Sequence, residues 1–243
     1  MTVDLYFTSN EVREEELDKK TVLVIDVLRA STTIAYALHN GCKDIIPLSS
    51  IDKAIELFRK IGRESALLCG EREGKKIEGF DLGNSPFEYA EEKIKDKTLI
   101  FATTNGSRAI VKGSSTLSLI VGGFVNFQST FEYLSSSLNE LVIICSGKLD
   151  QFAMEDAVCG GLYINEFLKK GDCHLNDGAF AAQKLYEVYQ NDFLGMLRNS
   201  SHGKYLIELG FERDLYLCSE LNSLEVVPIL SQGRLVRYGE NNS

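Results

Sequence analysis

The sequence predicts an α/β protein in three layers, α/β/α, around a mostly parallel or mixed central sheet. Short apolar runs alternate with segments whose apolar residues recur at helical spacing. Those runs are apolar along their whole length, as strands covered on both faces are. Polar, glycine-containing turns follow several of them.

Thr21–Asp26 (TVLVID) is an apolar strand closed by an acid, and Ser31–His39 reads as a helix stopped by Asn40-Gly41. Asp44–Leu48 is a second strand. In Ile51–Ile61 the residues Ile51, Ala54, Ile55, Phe58 and Ile61 share one helical face, and Gly62 ends the helix. Ser65–Cys69 is a third strand. Ser85 is expected to cap a helix that has Pro86 at its first position and Glu88 completing a capping box. Thr98–Ala102, Leu117–Val121 and Leu141–Cys145 continue the strands. Asn126–Leu138 and Met154–Lys169 are helical, the second stopped by Gly171. From about Asn176 helices dominate to about Leu209, and Asp214–Cys218, Val226–Leu230 and Arg234–Tyr238 read as terminal strands. With three prolines and no long linker, residues 1–243 are expected to form one domain. A two-lobed body, with its helical and then β segment starting near 176, is the alternative.

The content of 44% hydrophobic and 25% charged residues is ordinary for a globular chain. A net charge of −9 argues against a nucleic-acid partner but allows a local arginine cluster to hold a small anion. The start, MTVDLYFTSNEV, lacks the basic and apolar stretches of a signal peptide. No apolar segment reaches the roughly 18–20 residues that span a bilayer. Six cysteines without a CxxC pair are expected to be free, buried thiols. A cytoplasmic protein without membrane contact is expected; a homodimer is among the assemblies the sequence allows.

Ligands of open α/β sheets gather at the carboxyl ends of strands. After the first predicted strand come Asp26, Arg29 and the hydroxyls of Ser31, Thr32 and Thr33 at a helix start. An acid there can hold a metal and an arginine can grip a phosphate; the plainer reading is a helix cap and a surface arginine. After the third come Glu71 and Arg72, then Asp81 and Asn84 in a glycine-rich loop. After the fourth come Thr103, Thr104, Asn105 and Arg108 around an Asn-Gly turn. Ser146-Gly147-Lys148 precedes Glu155 and Asp156, which either favour a helix dipole or complete a metal site. His202, in a turn before a helix, is a proton donor, a phosphate contact or a structural residue. His39 and His174 read as structural or exposed. Acids, arginines and hydroxyls together suit metal-assisted chemistry on a phosphate or sulfonate ester. No GxxxxGK[ST] loop, Cys-x5-Arg loop or GxSxG elbow is present.

The stretches DVLRASTTI (Asp26–Ile34), GER (Gly70–Arg72), GFDLGNSP (Gly79–Pro86) and TTNGSRAI (Thr103–Ile110), with the Glu155-Asp156 pair, resemble the 2-phosphosulfolactate phosphatase family. SSHGKYLIELGFERDLYLC (Ser200–Cys218) and VVP (Val226–Pro228) extend the resemblance towards the C-terminus. Ser31 and Ser107 stand where threonine is expected, and ELNSLE (Glu220–Glu225) lacks an expected acid near Asn222. The resemblance implies Mg²⁺-dependent hydrolysis of 2-phospho-3-sulfolactate, a step of coenzyme M synthesis, in an α/β fold of the family's own type. On that basis Asp26, Glu71, Asp81 and Asp156 are the candidate catalytic and metal-binding acids. Arg29, Thr32, Arg72, Asn84, Thr104, Asn105 and Arg108 are the candidate substrate contacts. The nucleophile is a water or, second, Asp26 itself. Three rivals stand beside this reading: a phosphatase for another small carboxylated or sulfonated phosphoester, a haloacid-dehalogenase-type phosphatase, and a non-catalytic binder of anionic metabolites. The second lacks its Asp-x-Asp pair, because Leu28 occupies the second position.

Overall fold

A computed structural model describes residues 1–136 and 140–239. The strands are β1 (Thr2–Tyr6), β2 (Thr21–Ile25), β3 (Asp44–Pro47), β4 (Ala66–Arg72), β5 (Lys75–Lys76), β6 (Thr98–Ala102), β7 (Ser118–Gly122), β8 (Glu140–Cys145), β9 (His174–Leu175), β10 (Pro228–Ser231) and β11 (Arg234–Arg237). The helices are α1 (Ala30–His39), α2 (Ile51–Ile61), α3 (Glu91–Ile94), α4 (Gly106–Lys112), α5 (Phe127–Ser135), α6 (Met154–Lys170), α7 (Asp177–Tyr189), α8 (Phe193–Asn199), α9 (Ser201–Glu208) and α10 (Glu212–Ser219). No helix among the described residues is long and apolar enough to cross a membrane.

The strands form one mixed sheet in the order β5-β4-β6-β3-β11-β10-β7-β2-β8-β1-β9. Two parallel blocks, β4-β6-β3 and β7-β2-β8-β1-β9, are joined by the antiparallel hairpin β10-β11. Alternation along the central strands feeds two faces. Leu23, Ile25, Leu141 and Ile143 pack on the side of α5–α8. Val22, Val24, Val142 and Ile144 pack on the side of α1 and α4. The predicted three-layer α/β/α architecture is the one observed, and both faces are buried as the all-apolar runs require.

Local chemistry sets the helix starts that matter for the site. Ser200 Oγ accepts from the Gly203 N–H (2.9 Å), fixing the first turn of α9. Asn176 Oδ1 accepts from both Ala179 N–H and Leu5 N–H, tying α7 to β1.

Three differences from the sequence-based expectation have physical causes. Asp214–Cys218, expected as a strand, lies within α10. Asp214, Leu215 and Cys218 are the buried set, and their spacing is that of a helix. Ser85 does not cap a helix; its hydroxyl donates to Asp214 Oδ1 (2.7 Å), and only a 3-10 turn, Pro86–Glu88, follows. Glu88 instead accepts from Gly83 N–H (2.8 Å). The strands β1, β5 and β9 were not anticipated, two of them being only two residues long. The expected helix over 126–138 is present as Phe127–Ser135, and positions 137 and 138 fall outside the described residues.

Candidate active site

Although β2 and β6 stand five places apart in the sheet, the segments leaving their carboxyl ends meet. A β-carbon at Gly106, the first residue of α4, would lie 2.5 Å from Ala30 Cβ and 2.8 Å from Asp26 Oδ2. Only glycine permits this approach. Beside it opens a cleft of about 280 Å³ lined by Asp26, Arg29, Glu71, Asn84, Lys148 and His202, with Thr104, Asn105 and Tyr205. That volume is near the low end of the roughly 300–1,000 Å³ of drug-sized sites, which suits a small metabolite.

Each side chain is held from behind. Asp26, at the end of β2, accepts from Ala30 N–H through Oδ1 (3.1 Å). Glu71, near the end of β4, accepts from Thr104 N–H (2.7 Å) and from Gly74 N–H (2.8 Å). Arg29 donates to Asp214 Oδ2 (2.7 Å) and to the Gly74 carbonyl (2.6 Å), and its guanidinium lies over the Phe211 ring. Two residues of α9 reach the cleft from above. His202 Nδ1 is 2.9 Å from Glu155 Oε1, and Tyr205 donates to the Glu73 carbonyl (2.9 Å). Lys148 sits on a tight turn closed by paired hydrogen bonds between Lys148 and Gln151, with its ammonium over the Tyr205 ring.

The electrostatics are those of crowded, buried acids. Burial pushes Asp26 up to about 6; His202 opposes the rise, and Glu71 and Glu155 add to it. Asp156 is raised well above the ordinary range by burial and then by the charges of Asp26 and Glu155. Its oxygens accept from Val27 N–H (2.8 Å) and Gly147 N–H (3.1 Å), so it braces the turn after β2 against the turn after β8.

Residues 6–233 match the family model for 2-phosphosulpholactate phosphatase. The chain belongs to this family. Its members are phosphoric monoester hydrolases. A probable 2-phosphosulfolactate phosphatase of Caldanaerobacter subterraneus subsp. tengcongensis is 39% identical over 241 residues, covering 99% of this chain and 100% of the relative. Probable 2-phosphosulfolactate phosphatases of Clostridium acetobutylicum (38%; 97% and 100% covered) and Thermotoga maritima (41%; 88% and 90% covered) are similarly related.

In this member of the 2-phosphosulfolactate phosphatase family, seven of the residues singled out in the sequence line one cleft: Asp26, Arg29, Glu71, Asn84, Thr104, Asn105 and His202. Asp156 lies directly behind them. The others are placed elsewhere. Asp81 accepts from Leu68 N–H (2.9 Å) and closes its own loop on β4. Arg72 donates to the carbonyls of Glu71, Ala102 and Ser49. Arg108 is exposed and pairs with Asp150. Thr32 donates to the Val27 carbonyl within the wholly buried start of α1. Lys148 was named only as part of a strand-end turn and given no role; Tyr205 and Asp214 were not singled out. The signal for α9 was the spacing of His202, Tyr205 and Leu206, which places all three on one helical face; Asp214 lay in a segment expected as a strand.

The donor set of the cleft suits a hard cation. Asn84 Oδ1 is buried without a hydrogen-bond partner, and it shares the cleft with the carboxylates of Asp26 and Glu71. Among the described residues no group of three or more His, Cys, Asp and Glu is placed to hold a metal ion by itself. Mg²⁺ does not need one: it binds through one or two carboxylates, with waters and substrate phosphate completing the shell. Asp26, Glu71 and Asn84 therefore fit it.

Proposed function

We propose that this protein is a Mg²⁺-dependent phosphatase that hydrolyses 2-phospho-3-sulfolactate to 3-sulfolactate and inorganic phosphate. The observation that carries this is the cleft itself: two buried carboxylates and an orphan amide oxygen face two cations, in a chain of this family. A substrate bearing phosphate, carboxylate and sulfonate needs cations from more than one direction. The cytoplasmic setting rests on composition, and the coenzyme M route on the family resemblance alone.

Asp26, Glu71 and Asn84 would hold the metal. When bound, Mg²⁺ supplies charge neutralisation to the phosphoryl oxygens. Arg29 is already fixed by Asp214 and Gly74, and its guanidinium has five N–H groups, so donors remain for an anionic oxygen. A guanidinium held in place before substrate arrives needs little rearrangement in the transition state. Lys148 offers a second cation from the opposite turn. The hydroxyl of Thr104, buried without a hydrogen-bond partner, is available to an ester or phosphoryl oxygen.

A water in the cleft is the nucleophile in this reading. Asp26 is assigned to the metal here, with Oδ1 also accepting from Ala30 N–H, which leaves the attack to water. The test is a phosphate-release screen over small phosphoesters that carry a carboxylate, a sulfonate, both or neither, with and without EDTA. Preference for the doubly substituted ester, lost on chelation, is expected. Tight binding of these esters without phosphate release would favour a non-catalytic binder.

A further inference from the structure

Glu155 is 1% exposed, and its Oε2 has no hydrogen-bond partner. Its other oxygen, Oε1, meets His202 Nδ1 at 2.9 Å. A half-satisfied buried carboxylate is costly and calls for an explanation. The imidazole it meets lines the cleft with 14% of its side chain exposed. A carboxylate behind one ring nitrogen fixes the tautomer and orientation of the ring and leaves the other nitrogen to work. With Nδ1–H donating to Glu155, Nε2 is the nitrogen left for the cleft.

Hydrolysis of an alkyl phosphate expels an alkoxide, which needs a proton as it departs. The other cleft side chains are poorly suited to give one. Asp26 and Glu71 are the groups that would hold the cation, not donors of a proton. Arg29 is engaged with Asp214 and the Gly74 carbonyl and serves as an anion contact. The Tyr205 hydroxyl already donates to the Glu73 carbonyl. His202 remains.

We propose that His202, positioned by Glu155, is the general acid that protonates the ester oxygen as the phosphorus–oxygen bond breaks; this rests on the phosphatase reading above. Water oxygen bonds to phosphorus, and the electron pair of the broken bond passes to the ester oxygen. That oxygen takes the Nε2 proton and leaves as the alcohol. The proton released by the attacking water returns to the imidazole through solvent, so the cycle closes with no other reactant.

The test combines His202→Gln and Glu155→Gln with phosphate release and the bridging-oxygen ¹⁸O isotope effect on kcat/KM. Loss of general acid catalysis is expected to lower kcat by about 10²–10⁴-fold for His202→Gln, with a smaller loss for Glu155→Gln. The isotope effect should rise in both variants, because the oxygen then departs without its proton. A structural role would lower activity and leave the isotope effect at the wild-type value, and that result would overturn the assignment. The same holds if His202→Gln retains kcat. If the wild-type protein releases no phosphate from the ester, the phosphatase reading itself fails, which is a separate outcome.

Discussion

Arg29 Nη1 and Asp214 Oδ2 lie 2.7 Å apart with both side chains buried, joining the turn after β2 to a helix 185 residues further along the chain. Asp214 spends its second oxygen on the Ser85 hydroxyl, so one carboxylate organises three separate segments around the cleft. Removing one partner of such a pair strands the other charge. Asp214→Ala is expected to cost about 3–5 kcal/mol of stability, read from urea unfolding. It should also raise KM, because Arg29 loses its fixed orientation. An unchanged KM would show that Arg29 does not meet substrate.

The cation should depend on the acids assigned to it. Calorimetric titration of the substrate-free protein with Mg²⁺ is expected to show affinity weakened roughly tenfold or more in Asp26→Asn and Glu71→Gln, since each removes a ligand charge. Asp81→Asn should leave binding near the wild-type value, because Asp81 closes a loop away from the cleft.

Stability should follow the protonation of Asp26. In the metal-free protein its value lies at about 6, above its ordinary 3.8. The folded state therefore favours the protonated acid. The cost of ionising Asp26 is absent below about 3.8, grows between the two values, and is complete above about 6. Asp26→Asn removes that cost while keeping an acceptor for Ala30 N–H. The metal-free variant is expected to exceed wild type in stability near pH 8 by up to about 3 kcal/mol, the gap closing towards pH 4. Urea unfolding at both pH values checks it, and a gap independent of pH would contradict the account.

Lys148 and Arg108 should behave differently, although the sequence pointed to Arg108. Lys148→Met is expected to raise KM several-fold for a doubly anionic ester, since its ammonium lines the cleft. Arg108 forms an exposed pair with Asp150, a type worth about 0–1 kcal/mol. Arg108→Ala should therefore change KM and unfolding only slightly. Steady-state kinetics on the two variants separates these outcomes.

The sheet was legible because β2, β6 and β8 are apolar on both faces, a pattern few other elements share. The acids and amides at strand ends were legible for a related reason: Asp26, Glu71 and Asn105 come within three residues of the ends of apolar runs. Arg108 and Arg72 show the limit of that logic. Position after a strand says where the backbone emerges, but not whether a long side chain turns into the cleft or out to carbonyls and solvent. Asp214 and Tyr205 were harder still, because their partners Arg29 and Glu73 lie more than a hundred residues away and only the tertiary fold brings them together. Lys148 was visible as part of a strand-end turn, but nothing in the sequence turns its side chain towards the cleft.

The central claim is metal-assisted phosphate hydrolysis at the Asp26–Glu71–Arg29 cleft. Its most direct test is phosphate release from 2-phospho-3-sulfolactate by the wild-type protein in Mg²⁺, in EDTA, and by Asp26→Asn in Mg²⁺. Turnover in Mg²⁺ alone, abolished by chelation and reduced at least about 10²-fold in the variant, is the predicted result. Full activity of Asp26→Asn, or turnover indifferent to EDTA, would contradict it.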